Sequence, residues 1–324
     1  MYKLSDLTKK IDEAIAGLPL GTEPQTMFEP IRYILSLGGK RLRPVLALMA
    51  TNLFSNDIKQ TMDAALAIEV FHNFSLLHDD LMDRSELRRG QKTVHKKWND
   101  NVAILSGDAM LIEAYKLIAK VPQNLLPEIL ELFSQTALEV CEGQQFDMDF
   151  ETRLDVTETE YINMIRLKTA VLLACGLKMG AIIAKVPVQD ADLLYQFGIN
   201  IGLAFQLKDD LLDVYGDPKT FGKKIGGDIL CNKKTYLLIK ALKHARGKQK
   251  TELYNWITAT DFDPEAKIDA VKKIYNDLNL MHITQNFIEN YYLAALDCLS
   301  GVEVGDDRKK ELLSLAENLM YREK

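Results

Sequence analysis

Cysteine is scarce in this sequence, with four residues among 324 and no Cys-x-x-Cys pair. We therefore expect neither a zinc site nor a disulfide framework, and this usage fits a reducing compartment. Long apolar runs are also missing. The run at residues 171–176 is far shorter than the roughly 20 residues that span a bilayer, and the N-terminal segment lacks a signal peptide's apolar core. The sequence thus predicts a cytoplasmic protein with no membrane insertion.

The sequence also lacks the composition of a linker. Its nine prolines are scattered, and no tract rich in Ser, Gly or Pro and no run of one charge sign divides the chain. We therefore expect one domain over residues 1–324, although length alone would suggest about two domains of ~150 residues. The net charge of −6 argues against a nucleic-acid partner, because binding nucleic acid requires a basic surface.

Helical periodicity is the feature that the sequence has in abundance. Residues 61–83 and 126–150 carry apolar residues at steps of three and four, whereas strand-like alternation is rare. Residues 65–77 and 170–183 are apolar on most of the helix circumference, which is typical of helices surrounded by other helices. The turn signals leave room for roughly ten to thirteen helices. The predicted fold class is therefore all-α, with a single large helical bundle.

Two aspartate clusters stand out among these helices. The segments LHDDLMD and LKDDLLD agree at five of seven positions, and each follows an apolar helix. Side chains four residues apart share one helix face, so Asp79 and Asp83 form a pair about one turn apart, and Asp209 and Asp213 repeat it. A bound cation would relieve the repulsion between these like charges. Carboxylate oxygens without His or Cys suit Mg²⁺, which often binds substrate phosphates as well.

A solvated acidic helix face is the ordinary explanation of one such cluster. Two near-identical copies that both emerge from apolar helices argue against it. Basic residues are grouped nearby in the sequence: GGKRLRP places Lys40 and Arg43 after a glycine pair, and LRRG places Arg88 and Arg89 just after the first cluster. Arginine makes paired contacts with phosphate, and lysine acts as a point charge. Each group alone is an ordinary basic loop, but together with the aspartates they predict binding of diphosphates.

Further residues complete this set. Lys223 and Lys233 follow the second aspartate cluster, and Lys168 stands beside Thr169 in an apolar stretch, where a lysine charge needs a partner. His72 precedes the first cluster by two helical turns on roughly the same face. A lone helical histidine is more often a core residue, but this position also suits a donor to a diphosphate.

The order and spacing of these motifs resemble those of the trans-isoprenyl diphosphate synthases, the family of farnesyl and geranylgeranyl diphosphate synthases (polyprenyl synthetases). The matching segments are GGKRLRP, FHNFSLLHDDLMDRSELRRG, GQQFD, RLKTA, FQLKDDLLD and GKKIGGDILCNKKTY. The resemblance implies an all-α isoprenoid synthase fold around a central cavity, a homodimer, and two aspartate motifs facing each other across the cavity mouth. It implies condensation of isopentenyl diphosphate with an allylic diphosphate by Mg²⁺-assisted ionisation, attack of the double bond and loss of a proton.

The resemblance also assigns roles to individual residues. The implied ligands of three Mg²⁺ ions are Asp79, Asp83, Asp209 and Asp213, and the catalytic set adds Asp80, Asp210, Lys168 and Thr169. The implied diphosphate-binding residues are Lys40, Arg43, His72 and Arg89 for isopentenyl diphosphate, and Arg88, Lys168, Lys223 and Lys233 for the allylic substrate. The implied pocket residues are Phe205 and Gln206 with Thr169 at the reacting centre, and Gln144 and Asp147 on another wall.

The helix before the first cluster bears on product length. Phe74 and Phe71 precede Asp79 by about one and two turns, where bulky rings would form the cavity floor, although core packing explains each ring equally well. Ser75 is small where some farnesyl synthases carry a second aromatic residue. The spacing within the first cluster resembles that of archaeal geranylgeranyl synthases or of long-chain synthases. We expect a short-chain product, either geranylgeranyl or farnesyl diphosphate.

Two other functions share part of this pattern. A terpene cyclase uses the same ionisation chemistry but typically pairs one Asp-rich cluster with an unlike motif containing Asn and Ser. A non-catalytic regulatory subunit of a prenyl synthase would be expected to lose an Asp or Arg from these motifs, and none is missing here. We favour condensation because the sequence carries both clusters and the residues for a second diphosphate.

Overall fold

The computed structural model describes residues 1–217 and 225–321, and helices run through both stretches. In chain order the helices are α1 (Leu4–Ala16), α2 (Gln25–Ser36), α3 (Leu42–Phe54), α4 (Met62–Met82), α5 (Val94–Lys97), α6 (Asp100–Ile118), α7 (Leu126–Glu151), α8 (Glu158–Ile165), α9 (Val171–Ile183), α10 (Val188–Tyr215), α11 (Gly227–Leu230), α12 (Tyr236–His244), α13 (Gly247–Thr258), α14 (Pro264–Asp277), α15 (Leu280–Ser300) and α16 (Asp306–Met320). The all-α prediction is confirmed.

Three short elements connect these helices. A 3₁₀ turn at Lys59–Thr61 leads into α4, and a π-helical turn at Arg166–Ala170 joins α8 directly to α9. Strands β1 (Leu87–Arg88) and β2 (Gln91–Lys92) pair as an antiparallel hairpin. Within the described residues, no helix is both long enough and apolar enough to cross a membrane.

The chain forms two compact units from interleaved segments. The first unit consists of Met1–Gln135, Cys175–Tyr195 and Val302–Leu312, and the second of Thr136–Ala174, Gln196–Gly301 and the segment that begins at Leu313. Each unit takes segments from both halves of the sequence, so neither is a contiguous domain. The single domain over residues 1–324 stays a prediction.

Helix α4 lies at the centre of the first unit. It contacts α1, α2, α3, α5 and α6, and every residue from Ala64 to Phe71 is buried, as expected of a helix that is apolar on all sides. Gly107 of α6 lies close to α4, because a Cβ atom there would be 2.2 Å from His78 Nε2. The small residue lets the C-terminal end of α4, which carries the first aspartate cluster, pack tightly on α6.

The second unit is arranged around the π-helical turn and α10. A Cβ atom at Gly143 of α7 would lie 2.3 Å from the Lys168 nitrogen, and one at Gly202 of α10 would lie 2.5 Å from Ala170 Cα. Both glycines therefore permit a close approach of backbone to the turn that carries Lys168 and Thr169. Elsewhere in this unit, α12 packs against α8, α14 and α15.

Candidate functional site

The first aspartate cluster lies at the C-terminal end of α4. Asp79 and Asp80 belong to the last turn of this helix and Asp83 is its C-terminal cap. Negative charge is unfavourable at this end of a helix dipole, so nearby cations are needed. Arg88 supplies one: its Nη2 lies 2.6 Å from Asp80 Oδ1, its Nε lies 3.1 Å from Asp80 Oδ2, and its Nη2 is 3.8 Å from Asp79 Oδ2.

Asp80 is committed to this contact with Arg88. The residue is 2% exposed, and both of its carboxylate oxygens accept hydrogen bonds from the one guanidinium. Burial raises the pKa of Asp80, and the hydrogen bonds from Arg88 offset that rise only in part. Asp80 thus holds Arg88 in place, and Asp79 and Asp83 are the better candidates to meet a metal ion.

The β1–β2 hairpin brings Arg88 and Arg89 to different partners. Arg89 and Gly90 have φ angles of 54° and 76°, which is the backbone of a tight two-residue hairpin turn. Arg88 faces the aspartates, whereas Arg89 donates a short hydrogen bond to the Gly38 carbonyl. A Cβ atom at Gly39 would lie 2.7 Å from Arg89 Cζ. The hydrogen bond from Arg89 therefore links the LRRG hairpin to the GGKRLRP loop.

The GGKRLRP loop is held to α4 by Arg41. Gly38, Gly39 and Arg41 all have positive φ angles, of 74°, 135° and 48°, so the loop needs glycines and a strong anchor. The Arg41 guanidinium is 2.6 Å from Glu69 Oε1 and 2.9 Å from Asp12 Oδ1, and it also donates to the Leu35 carbonyl at 2.8 Å. Arg41 is thus a structural arginine.

His72 and Arg43 lie together beside this loop. Arg43 Nη1 is 3.2 Å from His72 Nε2. Burial lowers the pKa of His72 well below its usual value, and the charges of Arg43, Arg89 and Arg88 lower it further. The imidazole is therefore neutral and accepts this bond at Nε2, which leaves the ring proton on Nδ1; the predicted donor role of His72 stays a prediction. Burial also lowers the pKa of Arg43, to about 10, and leaves it cationic at neutral pH.

The predicted chain-length residues lie in a row of aromatic rings. Phe71 is 1% exposed and Phe74 is 8% exposed, with 5.4 Å between their ring centroids. Phe71 also packs edge to face on Phe133 of α7 at 5.5 Å, and Phe74 lies 4.8 Å from the His78 ring. The Ser75 hydroxyl donates to the His72 carbonyl. Phe71 is clearly a core contact, and the role of Phe74 in product length stays a prediction.

The second aspartate cluster lies on the last turns of α10. Asp213 Oδ2 accepts a hydrogen bond from the Asp228 backbone nitrogen at 2.9 Å. Asp210 is 4% exposed and accepts from Gln206 Nε2 at 3.0 Å and, by a short bond, from the Tyr161 hydroxyl. Burial raises the pKa of Asp210 to about 6. As in the first cluster, the middle aspartate is engaged within the protein.

Asp228 and Lys233 form a partly buried charge group near this cluster. Burial raises the pKa of Asp228 to about 7, although the charge of Lys233 opposes that rise. Burial also disfavours the charged form of Lys233, but Asp228, Asp210 and Asp147 outweigh it and raise the pKa of Lys233. Of the GKKIGGD motif, only Lys223 was predicted from the sequence as a site residue. Asp228, which ends the same motif, was not predicted. Lys223 lies outside the described residues.

The π-helical turn presents Lys168 and Thr169. Lys168 Nζ is 2.6 Å from Asp147 Oδ2. Asp147 is therefore the charged partner that a lysine in this apolar stretch needs. The Thr169 hydroxyl donates to Gln206 Oε1 at 3.1 Å. Two further predicted pocket residues, Gln144 on α7 and Phe205 on α10, are partly buried.

The donor set of the two clusters fits Mg²⁺. Among residues 1–217 and 225–321, no three His, Cys, Asp or Glu side chains form a group that could hold a metal ion without help. Mg²⁺ rarely uses such a cage and usually takes one or two carboxylates, with waters and substrate phosphates as its other ligands. The pairs Asp79–Asp83 and Asp209–Asp213 offer oxygen ligands of that kind.

A helical fold with two carboxylate clusters, each with cations close by, is typical of an enzyme that binds diphosphates. The polyprenyl synthetase family model matches residues 24–278. The geranylgeranyl diphosphate synthase of Sulfolobus acidocaldarius is 34% identical over 328 residues, which cover 99% of this chain and 98% of that protein. The geranylfarnesyl diphosphate synthase of Aeropyrum pernix is 35% identical, over 87% and 90% of the two chains. A solved structure of a geranylgeranyl pyrophosphate synthase is 47% identical, with a TM-score of 0.95 and complete coverage of both chains.

The chain therefore belongs to the polyprenyl synthetase family. The predictions of an enzyme and of a prenyltransferase are confirmed.

Proposed function

We propose that this enzyme condenses isopentenyl diphosphate with an allylic diphosphate and releases geranylgeranyl diphosphate. The observation that carries the proposal lies along α4. One group there combines aspartates with Arg88, which suits a diphosphate bound through metal ions. The other combines Arg43 with a neutral His72, which suits a diphosphate bound by cations of the protein. Two modes of anion binding in one unit fit two diphosphate substrates.

The allylic diphosphate is assigned to the aspartate clusters. In this proposal Asp79, Asp83, Asp209 and Asp213 would hold three Mg²⁺ ions, which would supply positive charge for the leaving diphosphate. Arg88, Lys168, Lys223 and Lys233 add positive charge from the protein, and such charges are most effective where water is excluded. The held diphosphate then leaves the allylic carbon, and the apolar surroundings protect the resulting cation from water.

Isopentenyl diphosphate is assigned to the cationic group. Lys40, Arg43 and Arg89 would hold its diphosphate, and Arg41 fixes the loop on which two of them lie. Glu69 is the buried carboxylate that balances part of this charge, because it pairs with Arg41 and its field also acts on Arg43 and Arg89. The double bond of isopentenyl diphosphate attacks the cation, and the departing diphosphate accepts the proton that is lost.

The product length of twenty carbons is supported by the relatives named geranylgeranyl synthase and by the ring of Phe74 before Asp79. Phe74→Ala should lengthen the product by at least one isoprene unit, because it removes the ring nearest the first cluster. Phe150→Ala is the matched control: Phe150 is 2% exposed on α7 and lies outside this aromatic row. Thin-layer or mass analysis of the products gives the chain length. An unchanged length in Phe74→Ala would exclude the floor role.

A homodimer is part of the proposal. Ile104, Leu105 and Ile112 on α6 are 43%, 61% and 62% exposed, and exposed apolar clusters commonly mark protein interfaces. Light scattering should give twice the mass of the chain, and Leu105→Glu should shift the protein toward the monomer. If the wild-type protein is a monomer at micromolar concentration, the homodimer proposal is wrong.

The substrate assay separates condensation from the other functions. The protein is incubated with Mg²⁺, labelled isopentenyl diphosphate and dimethylallyl, geranyl or farnesyl diphosphate in turn. Condensation predicts incorporation of label into a twenty-carbon diphosphate. A terpene cyclase would release diphosphate from the allylic substrate without label in the hydrocarbon, and a regulatory subunit would show neither reaction.

A further inference from the structure

Tyr161 is a buried residue that the motifs and the proposed function leave unused. Its side chain is 1% exposed in the first turns of α8, a helix begun by a capping box in which Thr157 and Glu160 bond each other's backbone nitrogen. A buried phenol needs a hydrogen-bond partner. The partner of Tyr161 is Asp210 Oδ2, the middle aspartate of the second cluster. The hydroxyl therefore acts directly on the predicted catalytic machinery.

A chain of hydrogen bonds continues from Asp210 to Thr169. Asp210 Oδ1 accepts from Gln206 Nε2 at 3.0 Å, and Gln206 Oε1 accepts from the Thr169 hydroxyl at 3.1 Å. A carboxylate offers only acceptor atoms, so the Gln206 amide must turn its nitrogen toward Asp210 and its oxygen toward Thr169. The direction of every bond in the chain is then set.

This direction determines what Thr169 offers to a substrate. A threonine hydroxyl has one proton and two lone pairs, and its proton is used on Gln206. The oxygen of Thr169 is therefore electron-rich toward any other neighbour, which favours a positive charge. The backbone cannot readily readjust, because Gly143 and Gly202 allow α7 and α10 to pack closely on the π-helical turn. The orientation of Thr169 thus depends on its side-chain partner.

We propose that Tyr161 is a positioning residue for the condensation: its hydroxyl fixes Asp210, and through Gln206 it holds the Thr169 oxygen with its lone pairs available to the allylic cation. The inference rests on the proposed function and on the sequence prediction that Thr169 and Gln206 line the reacting centre. Without the hydroxyl, Asp210 loses one of its two donors in a site that is 4% exposed. The carboxylate and the Gln206 amide can then rotate.

The test is the single-turnover rate of Tyr161→Phe, which removes one oxygen and keeps the ring. The full chain is mixed with Mg²⁺, an allylic diphosphate and labelled isopentenyl diphosphate, so that the rate reports chemistry rather than product release. We expect the rate to fall about 10- to 100-fold, as for a small misplacement of a reacting group, with KM for isopentenyl diphosphate unchanged. Tyr292→Phe is the matched control, because Tyr292 is 7% exposed and takes no part in the chain of hydrogen bonds from Tyr161 to Thr169. It should keep the wild-type rate.

A double-mutant cycle separates positioning from a structural role. Thr169→Val removes the end of the chain, so Tyr161→Phe should have little further effect in that background. Asp210→Asn breaks the chain of hydrogen bonds at the residue after Tyr161. In the Thr169→Val background it should likewise have little further effect, and this second cycle keeps the test informative if Tyr161→Phe folds poorly. A wild-type rate in Tyr161→Phe, or rate losses that multiply with Thr169→Val, would overturn the inference. Absence of condensation by the wild type would instead overturn the proposed function.

Discussion

Replacing Arg41 with methionine removes the anchor of the loop that carries Lys40 and Arg43. The Arg41 side chain is buried, and its guanidinium bonds Glu69, Asp12 and the Leu35 carbonyl. Methionine fills much of the same volume but offers no donor. The change isolates the ion pair and its hydrogen bonds from simple loss of packing.

The magnitude follows from the burial of the partner. Glu69 is 2% exposed, and without Arg41 its carboxylate keeps the Asn73 amide, at 3.0 Å, as a side-chain donor. Removing one partner of a buried ion pair costs about 3–5 kcal/mol. With an unfolding entropy of about 2.1 cal/mol/K per residue over 324 residues, each kcal/mol lowers the melting temperature by about 1.5 °C, so Arg41→Met should melt roughly 4–7 °C below the wild type.

Denaturant unfolding measures this loss, and two further variants test its cause. Arg41→Met with Glu69→Leu removes both charges and should recover most of the stability, because a buried pair is often replaceable by apolar residues. Asp12→Asn should cost less than about 1 kcal/mol, since Asp12 is 53% exposed. In both Arg41 variants KM for isopentenyl diphosphate should rise about tenfold, because ordering the GGKRLRP loop then takes up part of the binding free energy. An Arg41→Met protein within about 1 kcal/mol of wild type, or a double variant less stable than either single one, would refute this reasoning.

Two further predictions concern the aspartate clusters and pH. Asp79→Asn and Asp209→Asn should each lower kcat by at least about 100-fold with an unchanged far-UV circular dichroism spectrum; normal turnover in either would remove that residue from the metal site. Burial and Arg43 lower the pKa of His72 in the native protein below its value in the unfolded chain. At mildly acidic pH the unfolded chain therefore binds a proton at this histidine that the native protein does not bind. Stability is therefore lost as pH falls below about 6.5, by about 1 kcal/mol at pH 5.5. Denaturant unfolding of His72→Gln should lack this loss, and an identical pH dependence in the variant would contradict the assignment.

The helices and the residues of the two clusters could be predicted from the sequence, because both depend on local spacing. Period-3.6 patterning identified α4 as a buried helix. Placing Asp79 and Asp83 on one helical face required only their separation along the chain. The cations of the LRRG motif were identified for the same reason, since they follow the first cluster within a few residues.

The partners of these residues could not be predicted, because they depend on contacts between distant segments. GGKRLRP contains three cations with similar local surroundings, and nothing in the motif marks Arg41 as the structural one. Its role depends on Glu69, which belongs to another helix. Tyr161 reaches Asp210 across helices in the same way, and the π-helical turn at Arg166–Ala170 has no sequence signature that we recognise.

The protonation state and the arginine partner of His72 also could not be predicted from its helix alone. On the helix alone, a histidine two turns before the first cluster suits a contact with diphosphate. In the folded unit burial lowers the pKa of His72 and the neighbouring arginines lower it further, so the ring is neutral and Nε2 accepts from Arg43. Burial and the charges of residues on other elements therefore set the protonation of this side chain, and its role as a donor to diphosphate stays a prediction.

We propose that the two aspartate clusters support metal-dependent condensation of two diphosphates. The most direct measurement is the incorporation of labelled isopentenyl diphosphate into product with farnesyl diphosphate as primer, measured with added Mg²⁺ and again with a chelator. We expect geranylgeranyl diphosphate with Mg²⁺, loss of product with the chelator, and recovery when Mg²⁺ is restored. Condensation that continues undiminished in the chelator, or no condensation with any allylic primer, would contradict it.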